Sequence, residues 1–235
     1  SDFKLLLENQ RIAWGNKTVS IADLWLKWEN RRQYTDCVFA PGGADNGCYN
    51  LWRGFVFVPK AGKWDKYRKH IEEIVAPGYS DWVFQWMARL VQDPGGPRPG
   101  TSIVVRGRQG TGKGVFANHF GGLFGRHFTV VNDMDPVTGR FTADLANTVL
   151  LYIDEATWGG DIRTAGKLKN LITEPRRRIE AKGVDAIYVT NHLNLIISSN
   201  NAWTVPSGPL ERRFLLLDIN ESRAGDICLL YTSDA

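Results

Sequence analysis

Gly107-Arg108-Gln109-Gly110-Thr111-Gly112-Lys113-Gly114 lies between the apolar run Ser102–Arg106 and a segment of helical character from Lys113 to Leu123. Between a strand and a helix, a glycine-rich loop turns its backbone N–H groups toward phosphate oxygens. A lysine placed as Lys113 is reaches the β and γ oxygens of a nucleoside triphosphate. The candidate phosphate-binding set is therefore Gly107, Gln109, Gly110, Thr111, Gly112, Lys113 and Gly114. Gly114 departs from the usual pattern, in which a Ser or Thr hydroxyl joins the Mg²⁺ shell. The ion must then use a water or another hydroxyl such as that of Thr111.

Further along, Asp154 and Glu155 close the apolar run VLLYI. Carboxylates at a strand end beside a phosphate loop divide the work of hydrolysis. Asp154 holds Mg²⁺, usually through water, and Glu155 orients and deprotonates the attacking water. ATP and Mg²⁺ are the expected ligands. Asn200 ends a third apolar run, IISSN, where an amide can bond the attacking water and sense the γ-phosphate, or can simply cap the next turn. Arg212 and Arg213 precede a further apolar run, FLLLDI. A paired arginine there is either a salt-bridged surface feature or a finger reaching a neighbouring subunit's phosphate, and Arg213 is the candidate. Between these runs, alternation on both sides of Lys182-Gly183 predicts a hairpin carrying Arg176, Arg177, Arg178 and Lys182. Such a basic projection suits contact with a nucleic-acid backbone, the other reading being an ordinary solvated hairpin.

These residues require a scaffold of alternating strands and helices. Ser102–Gly107, Thr148–Ala156 and Leu193–Asn201 read as buried strands, and Lys113–Leu123 as a helix. Apolar strands separated by helices indicate an α/β fold with a mostly parallel sheet covered on both faces. The ATPase core is assigned to residues 101–227. Ahead of it, residues 1–63 form a small Trp-rich α+β region, with Trp14, Trp25, Trp28 and Trp52 and the turn-rich PGGADNG. Residues 64–100 carry apolar positions at helical spacing (Tyr67, Ile71, Ile74, Val75; then Val83, Trp86, Met87, Leu90, Val91), predicting two short amphipathic helices, and end in the Pro/Gly linker DPGGPRPG.

With 235 residues, 43% hydrophobic and 23% charged, the chain can bury a real core and is no disordered tail. A net charge of +4 and a pI near 9.0 permit polyanion binding without requiring it. Cys37, Cys48 and Cys228 have neither zinc-ligand spacing nor a disulfide pattern, so a reducing compartment is the default. No run approaches the length of a membrane span and no signal-peptide layout opens the chain, so a cytoplasmic protein without membrane contact is expected. The opening SDFKLLLENQ predicts a natural protein that continues upstream. CLLYTSDA, Cys228–Ala235, matches the translation of a sequencing-library adapter and is left out of fold reasoning.

Taken together, GRQGTGKG, LLYIDEA, the basic segment, SSN and LERRF resemble the compact superfamily 3 helicases of small DNA viruses, phages and plasmids, an offshoot of the AAA+ P-loop (ASCE) ATPases. The phrases YNLWRGF, TGRF, DEATWGGD, LKNLITEP, EAKGVD and SNNAWTVP are similar, more narrowly, to the helicase-like domain of NrS-type phage primase-polymerases. That resemblance implies an ATP-dependent DNA helicase working as a homo-hexameric ring in phage, plasmid or mobile-element replication, with the hairpin near Lys182 in the central channel on single-stranded DNA. It implies the same roles for Lys113, Asp154, Glu155, Asn200 and Arg213, with the arginine acting in trans. It further implies the replication fork as partner and a primase-polymerase domain upstream. GTGKG is usual for this family, so Gly114 does not imply a dead ATPase. Two other classes stay open: a P-loop motor that does not unwind DNA, and a non-hydrolysing DNA-binding replication module.

Overall fold

The computed structural model describes residues 2–132, 137, 139, 142–155, 162–180, 182–183, 185–200 and 211–225. Contacts divide the chain into two units, Ser1–Val38 with Asp45–Tyr49, and Phe39–Ala44 with Asn50–Ala235.

The first unit is small and α+β. Helix α1 (Asp2–Leu6) precedes an antiparallel hairpin of β1 (Arg11–Trp14) and β2 (Lys17–Ser20), turned at Gly15, whose φ of 60° a side chain would resist. Ser20 then caps α2 (Ile21–Lys27), its hydroxyl accepting from the Ala22 N–H at 3.2 Å. A second pair of short strands, β3 (Asp36–Val38) and β4 (Cys48–Asn50), follows.

The second unit is built on a five-stranded sheet. Helix α3 (Asp65–Lys69) runs into a π-helical segment, His70–Val75, and α4 (Ser80–Gln92) follows. Then come β5 (Ser102–Arg106), α5 (Lys113–Gly122), β6 (Phe128–Val131), β7 (Leu150–Ile153) and α6 (Ile162–Thr173). The hairpin strands β8 (Arg176–Ile179) and β9 (Ile187–Thr190) lead to β10 (Asn194–Ser199) and β11 (Phe214–Asp218). In space the sheet is ordered β11-β5-β10-β7-β6 and every pairing is parallel.

Alternation along the strands separates the core into two layers. Ile103, Val105, Tyr152 and Ile196 pack with α4, α5 and the π segment through Trp86, Phe116, Phe120 and Ile71. Val104, Leu151, Ile153 and Ile197 pack instead with α6 through Leu168 and Ile172. Strands buried on both faces read as unbroken apolar runs, which is why three of them were visible in the sequence.

Two expectations change. The helical region 64–100 does not stand apart from the five-stranded sheet: Ile71, Ile74, Val83, Trp86 and Leu90 share its main hydrophobic cluster, and the unit boundaries fall in 38–50. Nor is DPGGPRPG a free linker. The Arg98 guanidinium donates to the carbonyls of Leu171, Leu193 and Glu174 at 3.0, 3.0 and 2.6 Å, bracing the carboxyl end of α6 against the start of β10. A cation placed on the last carbonyls of a helix also meets the negative end of its dipole. Cys228–Ala235 and all of 201–210 lie outside the described residues. No helix of the described residues is long and apolar enough to cross a membrane.

Candidate phosphate and metal site

Strand β5 ends at Arg106 and helix α5 begins at Lys113, so residues 107–112 form the turn joining them. Gly112 has φ 90° and Gly110 φ 78°, both in the left-handed region that glycine alone enters freely. Gln109 and Gly110 are exposed at the tip, whereas Thr111 and Lys113 are buried. A side chain on Gly107 would collide with Ile219 and one on Gly112 with the His70 ring, so the loop is packed from behind by the segment after β11 and by the π segment. The His70 Nε2 lies 3.0 Å from the Gly112 carbonyl, while burial holds this imidazole below its ordinary range. π-Helical turns recur at functional sites, and here one delivers a side chain to the phosphate loop.

The Lys113 ammonium donates to the Gly107 and Arg108 carbonyls, each at 2.7 Å, and to Asn200 Oδ1 at 2.8 Å. Burial lowers its pKa, and the nearby carboxylates Asp154, Glu155 and Glu221 oppose that shift. Thr111 Oγ1 donates to the Arg108 carbonyl at 2.8 Å, so its hydroxyl is engaged within the loop. Glu221, in the turn after β11, binds the Arg108 backbone N–H at 3.0 Å and its guanidinium at 3.1 Å.

Two strands away, Asp154 follows β7. Its Oδ1 accepts from the Tyr152 hydroxyl at 2.6 Å, the Ser198 hydroxyl at 2.6 Å and the Glu155 N–H at 3.1 Å. Among the described residues no hydrogen bond ends on its Oδ2, which suits a carboxylate oxygen offered to Mg²⁺ or to its water shell. Glu155 is exposed and takes φ 55°, a left-handed conformation uncommon for a residue with a side chain and frequent at functional sites.

Asn200 immediately follows β10, which lies between β5 and β7 and thereby links the lysine to the carboxylates. The structure thus brings Lys113, Asn200, Asp154 and Glu155 to the carboxyl ends of adjacent strands. In open α/β sheets ligands occupy this crevice, where the strand order reverses. Tyr152, Ser198, His70 and Glu221 join the site without having been singled out beforehand. The signals for the first two were a lone phenol in an aliphatic strand and the hydroxyl pair ahead of Asn200.

Arg213 lies at the start of β11, on the opposite flank of β5. Within the single chain its guanidinium pairs with Glu211 at 3.0 Å, and Glu211 also takes Lys169 at 2.6 Å. Burial pushes the Glu211 carboxyl up, but the two cations outweigh it and hold the group down at about 2.

The hairpin forms where expected, β8 pairing antiparallel with β9 and Gly183 turning at φ 77°. Its four basic residues do not share one surface, which corrects the expectation for Arg177. Period-two alternation exposes Arg176 and Arg178 and turns Arg177 inward, where it donates to the Leu145 and Ala146 carbonyls. Burial draws its pKa down to about 10, still cationic at neutral pH. Lys182 is exposed at the turn. Tyr188 sits directly across from Arg178 and is 63% exposed, adding an aromatic face to the basic one.

Comparison with known proteins places this geometry. A family described as "Family of unknown function (DUF5906)" matches residues 105–213, the stretch from the glycine-rich loop to the arginine pair. The DNA primase-polymerase of Nitratiruptor phage NrS-1 is 26% identical over 140 residues, 57% of this chain and 19% of that protein. The chain thus spans about a fifth of the length of this curated relative. The apo structure of the NrS-1 C-terminal region (305-718) superposes with a TM-score of 0.70 at 19% identity, covering 89% of this chain and 56% of that one. A further apo structure of the region, its A form (305-718), gives 0.67 with 93% and 60% covered. At that identity the superposition establishes the shared α/β fold, and with the sequence match it supports the NrS-type relationship.

Proposed function

We propose that the chain is the ATPase part of an AAA+ superfamily 3 type DNA helicase, acting in phage or mobile-element replication and joined in the natural protein to a primase-polymerase. One observation carries the reading: the lysine of a glycine-rich loop, a strand-end asparagine and an Asp-Glu pair converge at the carboxyl ends of β5, β10 and β7. The similarity to the phage NrS-1 protein supports the replication setting.

On this reading the triphosphate displaces the loop carbonyls from Lys113. Backbone N–H groups of 107–112 surround the phosphates, Asn200 senses the γ-phosphate, and Glu155 takes a proton from the attacking water. Mg²⁺, brought with the nucleotide and held at Asp154, supplies charge neutralisation to the phosphate oxygens. Arg213, released from Glu211 at a subunit boundary, completes the site of a neighbour in a hexameric ring. The face bearing Arg176, Arg178, Lys182 and Tyr188 holds single-stranded DNA in the channel, phosphates on the cations and a base on the ring. The setting is the host cytoplasm.

Steady-state ATPase measurement with and without single-stranded DNA, followed by unwinding of a forked duplex, tests the proposal. DNA-stimulated hydrolysis with unwinding is expected. Hydrolysis without unwinding would transfer the chain to the non-unwinding motors, and nucleotide-independent DNA binding alone would make it a passive replication module.

A further inference from the structure

A glycine at position 114 removes the hydroxyl that a phosphate loop ordinarily presents to the ion, and the structure shows what faces that gap. A Cβ added to Gly114 would lie 3.9 Å from the Tyr152 hydroxyl and 3.6 Å from Asn118 Nδ2. Both are ordinary contacts, so a serine fits there, and its own hydroxyl would point into the neighbourhood the phenol already occupies. Tyr152 is fully buried in the middle of β7, in a strand otherwise made of Leu and Ile. A phenol buried there has to place its O–H. It donates to Asp154 Oδ1 at 2.6 Å and lies 3.0 Å from Ser198 Oγ, which itself donates to the same carboxylate oxygen at 2.6 Å.

Thr111, the other candidate replacement, has its hydroxyl turned onto the Arg108 carbonyl at 2.8 Å. Two hydroxyls from neighbouring strands therefore converge on one oxygen of Asp154, and among the described residues no hydrogen bond ends on the other.

We propose that Tyr152 is a positioning residue for the divalent cation: its hydroxyl, seated under Gly114 and bonded to Asp154, does from β7 what a loop Ser or Thr hydroxyl does from α5. This rests on the nucleotide reading above. Gly114 and Tyr152 then form a functional pair, the hydroxyl missing from the first being supplied by the second.

The test is the Mg²⁺ dependence of binding of a fluorescent ATP analogue, read as affinity without turnover, in wild type, Tyr152→Phe, Gly114→Ser and the double variant. Circular dichroism and melting check that each is folded. Tyr152→Phe is expected to bind the nucleotide in EDTA as wild type does, yet to need about tenfold more Mg²⁺ for half of the metal-dependent gain. Gly114→Ser in that background should restore the requirement to within about threefold. Gly114→Ser alone should move the half-saturating Mg²⁺ by less than about twofold, because Tyr152 already supplies the positioning hydroxyl. A tenfold change is about 1.4 kcal/mol, the scale of one charge-assisted hydrogen bond partly retained through Ser198.

A Mg²⁺ profile for Tyr152→Phe that overlays wild type would overturn the inference, as would an equal loss in EDTA and in Mg²⁺, or a double variant no better than the single one. Should Tyr152→Phe fail to fold, a tenfold gain in Mg²⁺ affinity from Gly114→Ser alone would overturn it, by showing that the position had been vacant. No nucleotide binding by wild type would instead remove the nucleotide reading itself, and this inference with it.

Discussion

Lys113 Nζ and Asn200 Oδ1 are 2.8 Å apart, joining the amino end of α5 to the carboxyl end of β10 before any nucleotide arrives. On the proposed reading, the group that meets phosphate is thereby held in place by the group that senses it. Lys113→Ala is expected to abolish the rise in melting temperature that MgATP gives wild type and to lower hydrolysis by about 100-fold or more. Asn200→Ala should keep nucleotide binding within a few fold and lose most of the hydrolysis. Thermal shift with and without MgATP, beside a phosphate-release assay, checks both.

Glu155 is exposed beside a carboxylate whose hydrogen bonds go to its neighbours. Glu155→Gln should keep MgATP binding near the wild-type value while hydrolysis drops by about 10²–10⁴, the usual range for a lost general base. Equal loss of binding and turnover would instead make Glu155 part of the metal site.

Arg213 is tied to Glu211 at 3.0 Å within one chain, so acting on a neighbour requires breaking that pair. Arg213→Ala is expected to lower hydrolysis by about 10³ without weakening nucleotide binding. Mixing it with Lys113→Ala should restore activity at mixed boundaries, which a role confined to one subunit cannot produce. Sedimentation with and without nucleotide supplies the oligomer.

On the hairpin, the inward and outward arginines separate cleanly. Replacing Arg176, Arg178 and Lys182 by Ala should leave the melting temperature nearly unchanged and flatten the salt dependence of single-stranded DNA binding by roughly two to three phosphate contacts. Tyr188→Ala should cost about 1–3 kcal/mol of that affinity by loss of stacking. Arg177→Ala should behave oppositely, destabilising the fold by about 1–3 kcal/mol through orphaned carbonyls of Leu145 and Ala146. Urea melts and fluorescence anisotropy at several salt concentrations distinguish the two.

Stability should fall on mild acidification. Burial holds His70, His127 and His192 below the ordinary imidazole value, so the unfolded chain takes up their protons first. Their contribution is fully present above about pH 6.5 and is lost as pH falls through that value toward the lower folded pKa values. A urea midpoint lower at pH 5.5 than at pH 7.5 is expected, with a smaller difference in His70→Gln.

How much of this was legible beforehand depended on period and spacing. Strands β5, β7 and β10, buried on both faces, stood out as apolar runs, and Gly107–Lys113 announced its loop by glycine alone. β6 escaped notice because FTVV is a four-residue edge strand with Val130 44% exposed. Helix α6 read only as a family phrase, since IRTAGKLKNLIT mixes its apolar stripe with charges. Arg177 was placed with its neighbours because three consecutive arginines look alike in sequence, although a strand must send the middle one the other way. Tyr152 and Ser198 left only faint signals for a different reason: they meet each other and Asp154 by long-range pairing, Ser198 lying 44 positions from Asp154 and 46 from Tyr152.

The strand order has a consequence for how the molecule is made. β10 lies between β5 and β7, although it is translated after both, and β11 closes the far flank of β5 later still. With neighbouring strands about 4.8 Å apart, β5 and β7 stand nearly 10 Å from one another in the finished sheet, and only β10 joins them. A nascent chain that has released the glycine loop but not Asn194–Ser199 holds the motif without a site. Assembly of the strand-end crevice is therefore a late, long-range event, slow by its topology, and complete only in chains whose synthesis has passed β10.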